Sequence, residues 1–179
     1  MNYAILSLLI IISIILSTIS ILVTPINIYK GIGTYFVYRT FARIILFICG
    51  VKLSVECSEK PEKDKEYIII SNHLSYLDIP VLMTAMPKNI RFIYKKSLTR
   101  IPVFGWSLYL GGYIPIDRSN ARSAIESLKK ASKRLKENVS IAIFPEGTRS
   151  KTGITGEFKK GIFMLAEFAE AEIIPVTII

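Results

Sequence analysis

Residues 67–80 read YIIISNHLSYLDIP, and this stretch decides the fold that we expect. Its first positions are apolar up to a closing serine, which is typical of a strand buried on both faces. His73, the only histidine, follows in a polar segment, and Asp78 lies five residues after it. Ser75 suits the cap of a helix with Asp78 at its third position, while Pro80 leaves the first residue of that helix open. The stretch therefore predicts a strand, a loop and a helix.

Similar β-rich runs recur along the rest of the chain, at 90–94, 113–116, 139–144 and 173–179. Helical patterns separate these runs, and the clearest pattern covers 120–136 with one apolar face. Asn120 or Ser119 suits the start of that helix, and Asn138 suits its end. Strands that alternate with helices predict an α/β fold, with a mixed, mainly parallel sheet and flanking helices.

The N-terminal segment carries no charged side chain from Met1 to Tyr29. Within it, residues 4–23 are apolar apart from Ser and Thr, and about 20 apolar residues span a bilayer core of roughly 30 Å. A buried helix of a soluble protein is the alternative, but such helices seldom exceed about 14 apolar residues. We therefore predict a membrane anchor over 1–57, with a span at 4–23 and an interfacial helix at 31–50. A catalytic domain is expected over 58–179.

The net charge of +9 lies entirely after the uncharged segment. Arg39 and Arg43 are four residues apart, so a helix would present both to lipid headgroups on one face. With Lys30 and Lys52 they follow the span closely, and the positive-inside rule then predicts the cell membrane, with the catalytic domain on the cytoplasmic side. An anionic lipid surface is the expected partner, rather than nucleic acid. The two cysteines are expected to be reduced packing residues.

Few residues of the chain can carry chemistry. One histidine and two cysteines do not assemble a zinc site, and both HExxH and G-x-S-x-G are absent. We therefore expect neither a metal nor a prosthetic group. If the enzyme supplies no nucleophile, the substrate brings its own, and His73 is the candidate general base with Asp78 fixing its tautomer. The alternatives are a histidine satisfied in the core with Asp78 as a helix cap, and Ser75 as a nucleophile.

A second candidate segment is FPEGTRS at 144–150, directly after an expected strand. Pro145 and Gly147 favour a tight turn. Glu146 can accept hydrogen bonds from substrate hydroxyls, and Arg149 can hold a phosphate bidentately. An ordinary polar turn is the alternative.

A third candidate segment is GGYIPIDR at 111–118. Its glycines permit a close approach of another group, and Arg118 follows the end of an expected strand. A surface arginine paired with Asp117 explains the pattern equally well. The basic run YKK at 94–96 is more typical of a solvated face.

Together these segments resemble the glycerolipid acyltransferase family, and in particular its 1-acylglycerol-3-phosphate acyltransferases. Four blocks of that family stand in order: NHLSYLD at 72–78, GYIPIDR at 112–118, FPEGTRS at 144–150 and IPV at 174–176. The first and third blocks are specific, while the second and fourth are weak alone. The chain ends directly after the fourth block, where family members usually continue, so we expect a C-terminal part to be missing.

The resemblance implies that His73 is the base and that Asp78 orients it. It also implies that Pro175 lies near the acyl donor and that the glycerol phosphate is held by Arg118, Glu146, Gly147, Thr148 and Arg149. The reaction implied is transfer of a fatty acyl group from acyl-CoA or acyl-carrier protein to the sn-2 hydroxyl of lysophosphatidic acid, which gives phosphatidic acid. The alternatives are glycerol-3-phosphate or another lysolipid as acceptor, a thioesterase that uses water, and a non-catalytic membrane-anchored lipid-binding protein.

Overall fold

The computed structural model describes the chain apart from residues 1–2, 25–31, 59, 63, 118, 136 and 138. The chain forms two compact units. The helical unit comprises the described residues of Met1–Lys60, Ile79–Pro87 and Ser97–Gly112, and the sheet unit those of Pro61–Asp78, Lys88–Lys96 and Tyr113–Ile179. Each unit is assembled from several stretches of sequence, and the expected division between residues 57 and 58 stays a prediction.

The sheet unit is built on five parallel strands in the order β3-β2-β4-β1-β5. The strands are β1 Ile68–Ser71, β2 Ile90–Lys95, β3 Ile114–Ile116, β4 Ser140–Ile143 and β5 Ile173–Val176. Each strand coincides with a predicted β-rich run, so the expected α/β fold is confirmed. Ile69 of β1 pairs with Ala142 of β4 on one side and with Ile174 of β5 on the other.

Strand β5 departs from the expectation that every run is buried on both faces. Ile173 and Pro175 are exposed, and the strand ends at Val176 rather than at residue 179. The expectation is wrong for this strand because β5 lies at the edge of the sheet in the described part of the chain. An edge strand has a partner on one side only, so more of its surface stays open.

The described chain contains six α-helices: α1 Tyr3–Val23, α2 Ile32–Ile48, α3 Asp78–Ala85, α4 Phe104–Leu110, α5 Ala121–Leu135 and α6 Gly161–Ala169. Helices α5 and α6 pack against each other in the sheet unit. Their apolar residues share one core with the strands, which includes Leu128, Ala131, Leu135, Ile162, Leu165, Ile68, Ile114 and Ile141. This core holds the strands in place, and with them the loops that follow their carboxyl ends.

The start of α5 confirms one of the two expected caps. The Asn120 Oδ1 atom accepts a hydrogen bond from the backbone N–H of Ser123 at 3.0 Å, which satisfies a donor that the first turn leaves free. The Ser119 hydroxyl instead donates to Asp117 at 2.6 Å. Asn138, expected at the other end of the helix, lies outside the described residues.

In the helical unit, α1 is the one described helix that is long and apolar enough to cross a membrane. Its 21 residues correspond to about 31 Å at the rise of an α-helix. The helix matches the expected span at 4–23 and packs against α2 and α4. Its length and composition make it a candidate membrane anchor.

Helix α2 ends where the sequence places a glycine. Gly50 has a φ of +67°, a left-handed conformation that glycine adopts without a steric cost. The N–H of Val51 donates to the Leu46 carbonyl at 2.9 Å and that of Gly50 to the Phe47 carbonyl at 3.0 Å, the two bonds of a Schellman motif. Arg39 donates to the carbonyl of Thr84 at 3.1 Å, so part of its guanidinium bonds within the helical unit, and its contact with a headgroup stays a prediction.

Candidate active site

The candidate site forms where two neighbouring strands end. His73 follows β1 and Phe144 follows β4. Because these strands are parallel, both segments begin on the same side of the sheet, at the carboxyl ends of the strands. The Phe144 ring stacks on the His73 ring, with centroids 3.9 Å apart and planes 13° from parallel. The N–H of Ser150 donates to the His73 carbonyl at 2.7 Å. The structure thus brings the blocks NHLSYLD and FPEGTRS together.

Asp78 contacts His73 as the sequence predicts. Its Oδ2 atom lies 2.7 Å from Nδ1 of the histidine, and the aspartate is only 2% exposed. A carboxylate that accepts from Nδ1 favours the neutral tautomer in which Nδ1 carries the proton and Nε2 keeps a lone pair. A histidine in this tautomer can accept a proton at Nε2, which is the arrangement of a general base.

The same carboxylate also caps α3. Oδ2 of Asp78 accepts from the backbone N–H of Leu74 at 2.7 Å and from that of Ser75 at 2.8 Å. The Ser75 hydroxyl in turn accepts from the N–H of Leu77 at 3.1 Å, so the pair forms a variant of the capping box in which the cap bonds to the second helical residue instead of the third. The cap that the sequence predicts is confirmed. Asp78 as partner of the histidine and Asp78 as helix cap are therefore not alternatives, since one oxygen does both.

Glu146 is a buried clamp between two loops. It is 4% exposed. Its Oε1 atom accepts from the backbone N–H of His73 at 2.9 Å, and Oε2 accepts from that of Gly156 at 2.8 Å. The sequence predicts that Glu146 accepts from substrate hydroxyls, and that contact stays a prediction. The contacts that the structure places on this carboxylate are both with backbone N–H groups, and one of them belongs to the candidate base.

The turn between Phe144 and Gly147 has the expected form. The N–H of Gly147 donates to the Phe144 carbonyl at 3.0 Å, and Gly147 has a φ of +74°, so the glycine is required by the backbone. The Pro145 carbonyl accepts from the N–H of Lys159 at 2.9 Å, which connects the turn to the start of α6. Thr148 is exposed beside the turn.

Arg149 lies over an aromatic ring that the sequence analysis did not single out. Its guanidinium carbon is 3.5 Å from the centroid of the Tyr76 ring, and both side chains are exposed. A cation over an aromatic face is attracted by the quadrupole of the ring. A guanidinium that contacts a ring through its face keeps its five N–H donors available, because they lie in the guanidinium plane. Tyr76 therefore restricts Arg149 without occupying all of the donors that a phosphate would use.

The end of the block GYIPIDR is only partly visible, since Arg118 lies outside the described residues. Asp117 beside it accepts from the Ser119 hydroxyl at 2.6 Å and from the Ser119 N–H at 3.1 Å. These two bonds lower the pKa of Asp117 below its ordinary value, and so does the positive charge of Lys96, whose Nζ atom lies 3.4 Å from Oδ2 of the aspartate. Asp117 is therefore an ionised neighbour of the position at which Arg118 is expected to bind phosphate.

Pro175 lies on β5 opposite Ile70 of β1, two residues before the loop that carries His73 begins. Asn72 in that loop makes a paired contact with the chain after β5. Its Nδ2 atom donates to the Ile178 carbonyl at 2.9 Å, and its Oδ1 atom accepts from the Ile178 N–H at 2.8 Å. Asn72 thus fixes the loop that carries His73 from the β5 side. Its adjacency to the only histidine was the available signal for this role.

Comparison with known proteins gives the family. The Acyltransferase family model matches residues 52–179, well over half of the chain. The chain is 35% identical to the chloroplastic 1-acyl-sn-glycerol-3-phosphate acyltransferase LPAT1 of Arabidopsis thaliana, over 84% of this chain and 42% of that protein. It is 34% identical to the human 1-acyl-sn-glycerol-3-phosphate acyltransferase beta, over 76% of this chain and 49% of that protein. The chain thus spans less than half the length of these two relatives.

A solved structure shows the same fold. The crystal structure of the 1-acyl-sn-glycerophosphate acyltransferase PlsC from Thermotoga maritima matches with a TM-score of 0.63 and 24% identity, over 92% of this chain and 73% of that one. At this identity the likeness concerns the fold alone. The family match over residues 52–179 shows that the chain belongs to the Acyltransferase family.

Proposed function

We propose that this chain catalyses transfer of a fatty acyl group from a thioester donor to the sn-2 hydroxyl of 1-acylglycerol-3-phosphate, which gives phosphatidic acid. The observation that carries the proposal is the hydrogen bond of 2.7 Å between Nδ1 of His73 and the buried carboxylate of Asp78. Membership of the Acyltransferase family and the names of the relatives support the reaction class and the acceptor.

In the proposed reaction, Nε2 of His73 takes the proton of the sn-2 hydroxyl as its oxygen attacks the thioester carbonyl. A C–O bond forms, the C–S bond breaks, and the departing thiolate receives the proton from the imidazolium. Asp78 stabilises that imidazolium and keeps the ring in the productive tautomer. The donor is acyl-CoA or acyl-carrier protein, and the scheme requires neither a metal nor a prosthetic group.

The phosphate of the acceptor is assigned to the segment that leaves β4. Arg149 offers planar, bidentate donors and is restrained by the Tyr76 ring at 3.5 Å. Gly147 and Thr148 adjoin it, and Arg118 is the second cation proposed for the phosphate. Pro175 is proposed to lie near the acyl donor.

The location that we propose is the cell membrane, with the catalytic domain on the cytoplasmic side. Residues 1–57 would form the anchor, with a span at 4–23 and an interfacial helix at 31–50, and residues 58–179 the catalytic domain. The apolar length of α1 supports the span, and the cations that follow it support the orientation through the positive-inside rule. Both substrates would then meet at one interface, which supplies proximity.

The experiment supplies the purified chain in phospholipid nanodiscs with lysophosphatidic acid and acyl-CoA and identifies the lipid products by mass spectrometry. Phosphatidic acid is expected, and His73→Ala is expected to lower kcat by about 10²-fold or more with little change in KM, because a base acts in the transition state. Product from glycerol-3-phosphate but not from lysophosphatidic acid would change the assigned acceptor. Free fatty acid formed without an acceptor would identify a thioesterase, and full turnover of His73→Ala would end the mechanism.

A further inference from the structure

Helix α4 turns an apolar face outwards. Trp106, Tyr109 and Leu110 are 55%, 65% and 48% exposed. Their spacing of three and four residues places them on one side of a helix, and we call these three residues the aromatic face. Gly105, Ser107 and Leu108 on the other side are buried. The exposed side of α4 is therefore apolar, whereas a surface helix in water leaves a polar side open.

The exposure of this face does not come from a loosely held helix. A Cβ atom added at Gly105 would lie 2.4 Å from the Leu98 carbonyl oxygen and 2.6 Å from that of Thr99, so the backbones are in close contact. The Ser107 hydroxyl donates to the Phe104 carbonyl at 2.7 Å and shares a hydrogen bond with the hydroxyl of Tyr38. The aromatic face is therefore presented by a fixed helix.

The neighbours of α4 indicate what covers the aromatic face. Helix α4 packs against α1, the described helix that is apolar enough to cross a membrane, and α1 also leaves apolar side chains such as Ile11 and Ile14 open. Arg100, at the end of the 3₁₀ helix Lys96–Arg100 just before α4, is an exposed cation. The surface thus combines an apolar helix, a tryptophan with a tyrosine, and an adjacent arginine.

We propose that the aromatic face of α4 lies in the lipid–water interface of a phospholipid bilayer, as a further membrane contact besides the span and the interfacial helix proposed above. Tryptophan and tyrosine are enriched at that depth because their rings are apolar while their N–H and O–H groups reach water. Arg100 would contact anionic headgroups. No charged residue interrupts α4 itself, as suits a face in contact with lipid. The contact is independent of the acyl-transfer chemistry, so its test needs no activity.

Trp106 is the only tryptophan, so tryptophan fluorescence, excited at a wavelength that tyrosine does not absorb, reports on this face alone. The chain is reconstituted into vesicles of phosphatidylcholine and phosphatidylglycerol that carry bromine either near the glycerol end or near the methyl end of the acyl chains. Quenching is expected to be strongest with bromine near the glycerol end, and aqueous iodide is expected to quench weakly. Moving the reporter by Trp106→Phe with Tyr109→Trp should give the same depth profile.

The matched control is Trp106→Phe with Arg122→Trp, which places the reporter on the charged, exposed side of α5. This variant should be quenched by iodide and not by brominated lipid, while circular dichroism confirms that each variant is folded. Efficient iodide quenching of Trp106 without an effect of brominated lipid would show that the face meets water and would overturn the proposal. Protection of Trp106 from both quenchers would show a protein partner or a second copy of the chain, and would overturn it as well.

Discussion

Asp78 offers the sharpest test, because one carboxylate oxygen has both a structural task and the catalytic task that we propose for it. Oδ2 accepts from Nδ1 of His73 and from the backbone N–H groups of Leu74 and Ser75, at 2.7 to 2.8 Å. The two tasks respond differently to two substitutions. Asp78→Asn keeps an oxygen that can accept but removes the charge, whereas Asp78→Ala removes the acceptor.

The expected magnitudes follow from the bonds. A hydrogen bond to a charged group contributes about 1.5–3 kcal/mol and a neutral one about 0.5–1.5 kcal/mol, so Asp78→Asn should weaken each bond by about 1–2 kcal/mol. At the imidazolium this corresponds to a loss of about 5–30-fold in kcat. Asp78→Ala also leaves the N–H groups of Leu74 and Ser75 without their partner, which costs about 1–3 kcal/mol each. The free energy of unfolding should therefore fall by about 2–6 kcal/mol in Asp78→Ala.

The assay pairs kcat for phosphatidic acid formation with chemical unfolding followed by circular dichroism. Glu126→Gln on the exposed side of α5 is the matched control, since it also removes one carboxylate and should change stability by less than about 0.5 kcal/mol. If Asp78→Asn keeps full kcat while His73→Ala is inactive, Asp78 does not assist the base. If Asp78→Ala unfolds at the same denaturant concentration as the unaltered chain, the cap contributes nothing to stability.

The other predictions concern the segment after β4. Glu146→Gln leaves one acceptor oxygen, which can satisfy the backbone N–H of His73 or that of Gly156 but not both. We therefore expect kcat to fall while the KM for lysophosphatidic acid stays within about twofold. A rise in that KM without a fall in kcat would instead show that Glu146 binds the substrate. Arg149→Ala should raise the KM for lysophosphatidic acid about 10–100-fold and leave that of the acyl donor unchanged, with partial rescue by Arg149→Lys. Tyr76→Ala should raise the KM for lysophosphatidic acid about 2–5-fold, whereas Tyr76→Phe should leave it unchanged, because phenylalanine keeps the aromatic ring. Steady-state kinetics with each substrate varied in turn would measure both effects. If these variants change the KM of the acyl donor instead, Arg149 binds the donor and not the phosphate of the acceptor.

The strands were predictable because their signal is local. Each β-rich run that becomes a strand is a short series of β-branched and aromatic residues bounded by polar ones, as at Tyr67–Ser71. The capping box of α3 was predictable for the same reason, since Ser75 and Asp78 are three residues apart. The burial of β5 was not predictable, because it depends on which strand occupies the edge of the sheet. That order is set by pairing between segments about 100 residues apart.

The site was predictable only at the level of side chains with distinctive chemistry. His73 stands out because it is the only histidine of the sequence, and Asp78 stands out because it is a charged residue among apolar ones. Tyr76 did not stand out, because an exposed tyrosine gains a role only from Arg149, which lies 73 residues further along the chain. The clamp made by Glu146 could not be predicted, because its partners are backbone N–H groups, which every residue except proline carries.

The backbone of the loop that carries His73 is held by hydrogen bonds from the segments that follow both neighbouring strands, β4 and β5. On the β4 side, Glu146 and Ser150 bond to the N–H and the carbonyl of His73. On the β5 side, Asn72 bonds to Ile178. These bonds hold the backbone of the loop, and the ring of His73 is oriented by its bond to Asp78 and by the Phe144 ring that stacks on it. Among the four residues between His73 and Asp78, Ser75 can therefore cap the helix and Tyr76 can contact Arg149 without disturbing the position of His73.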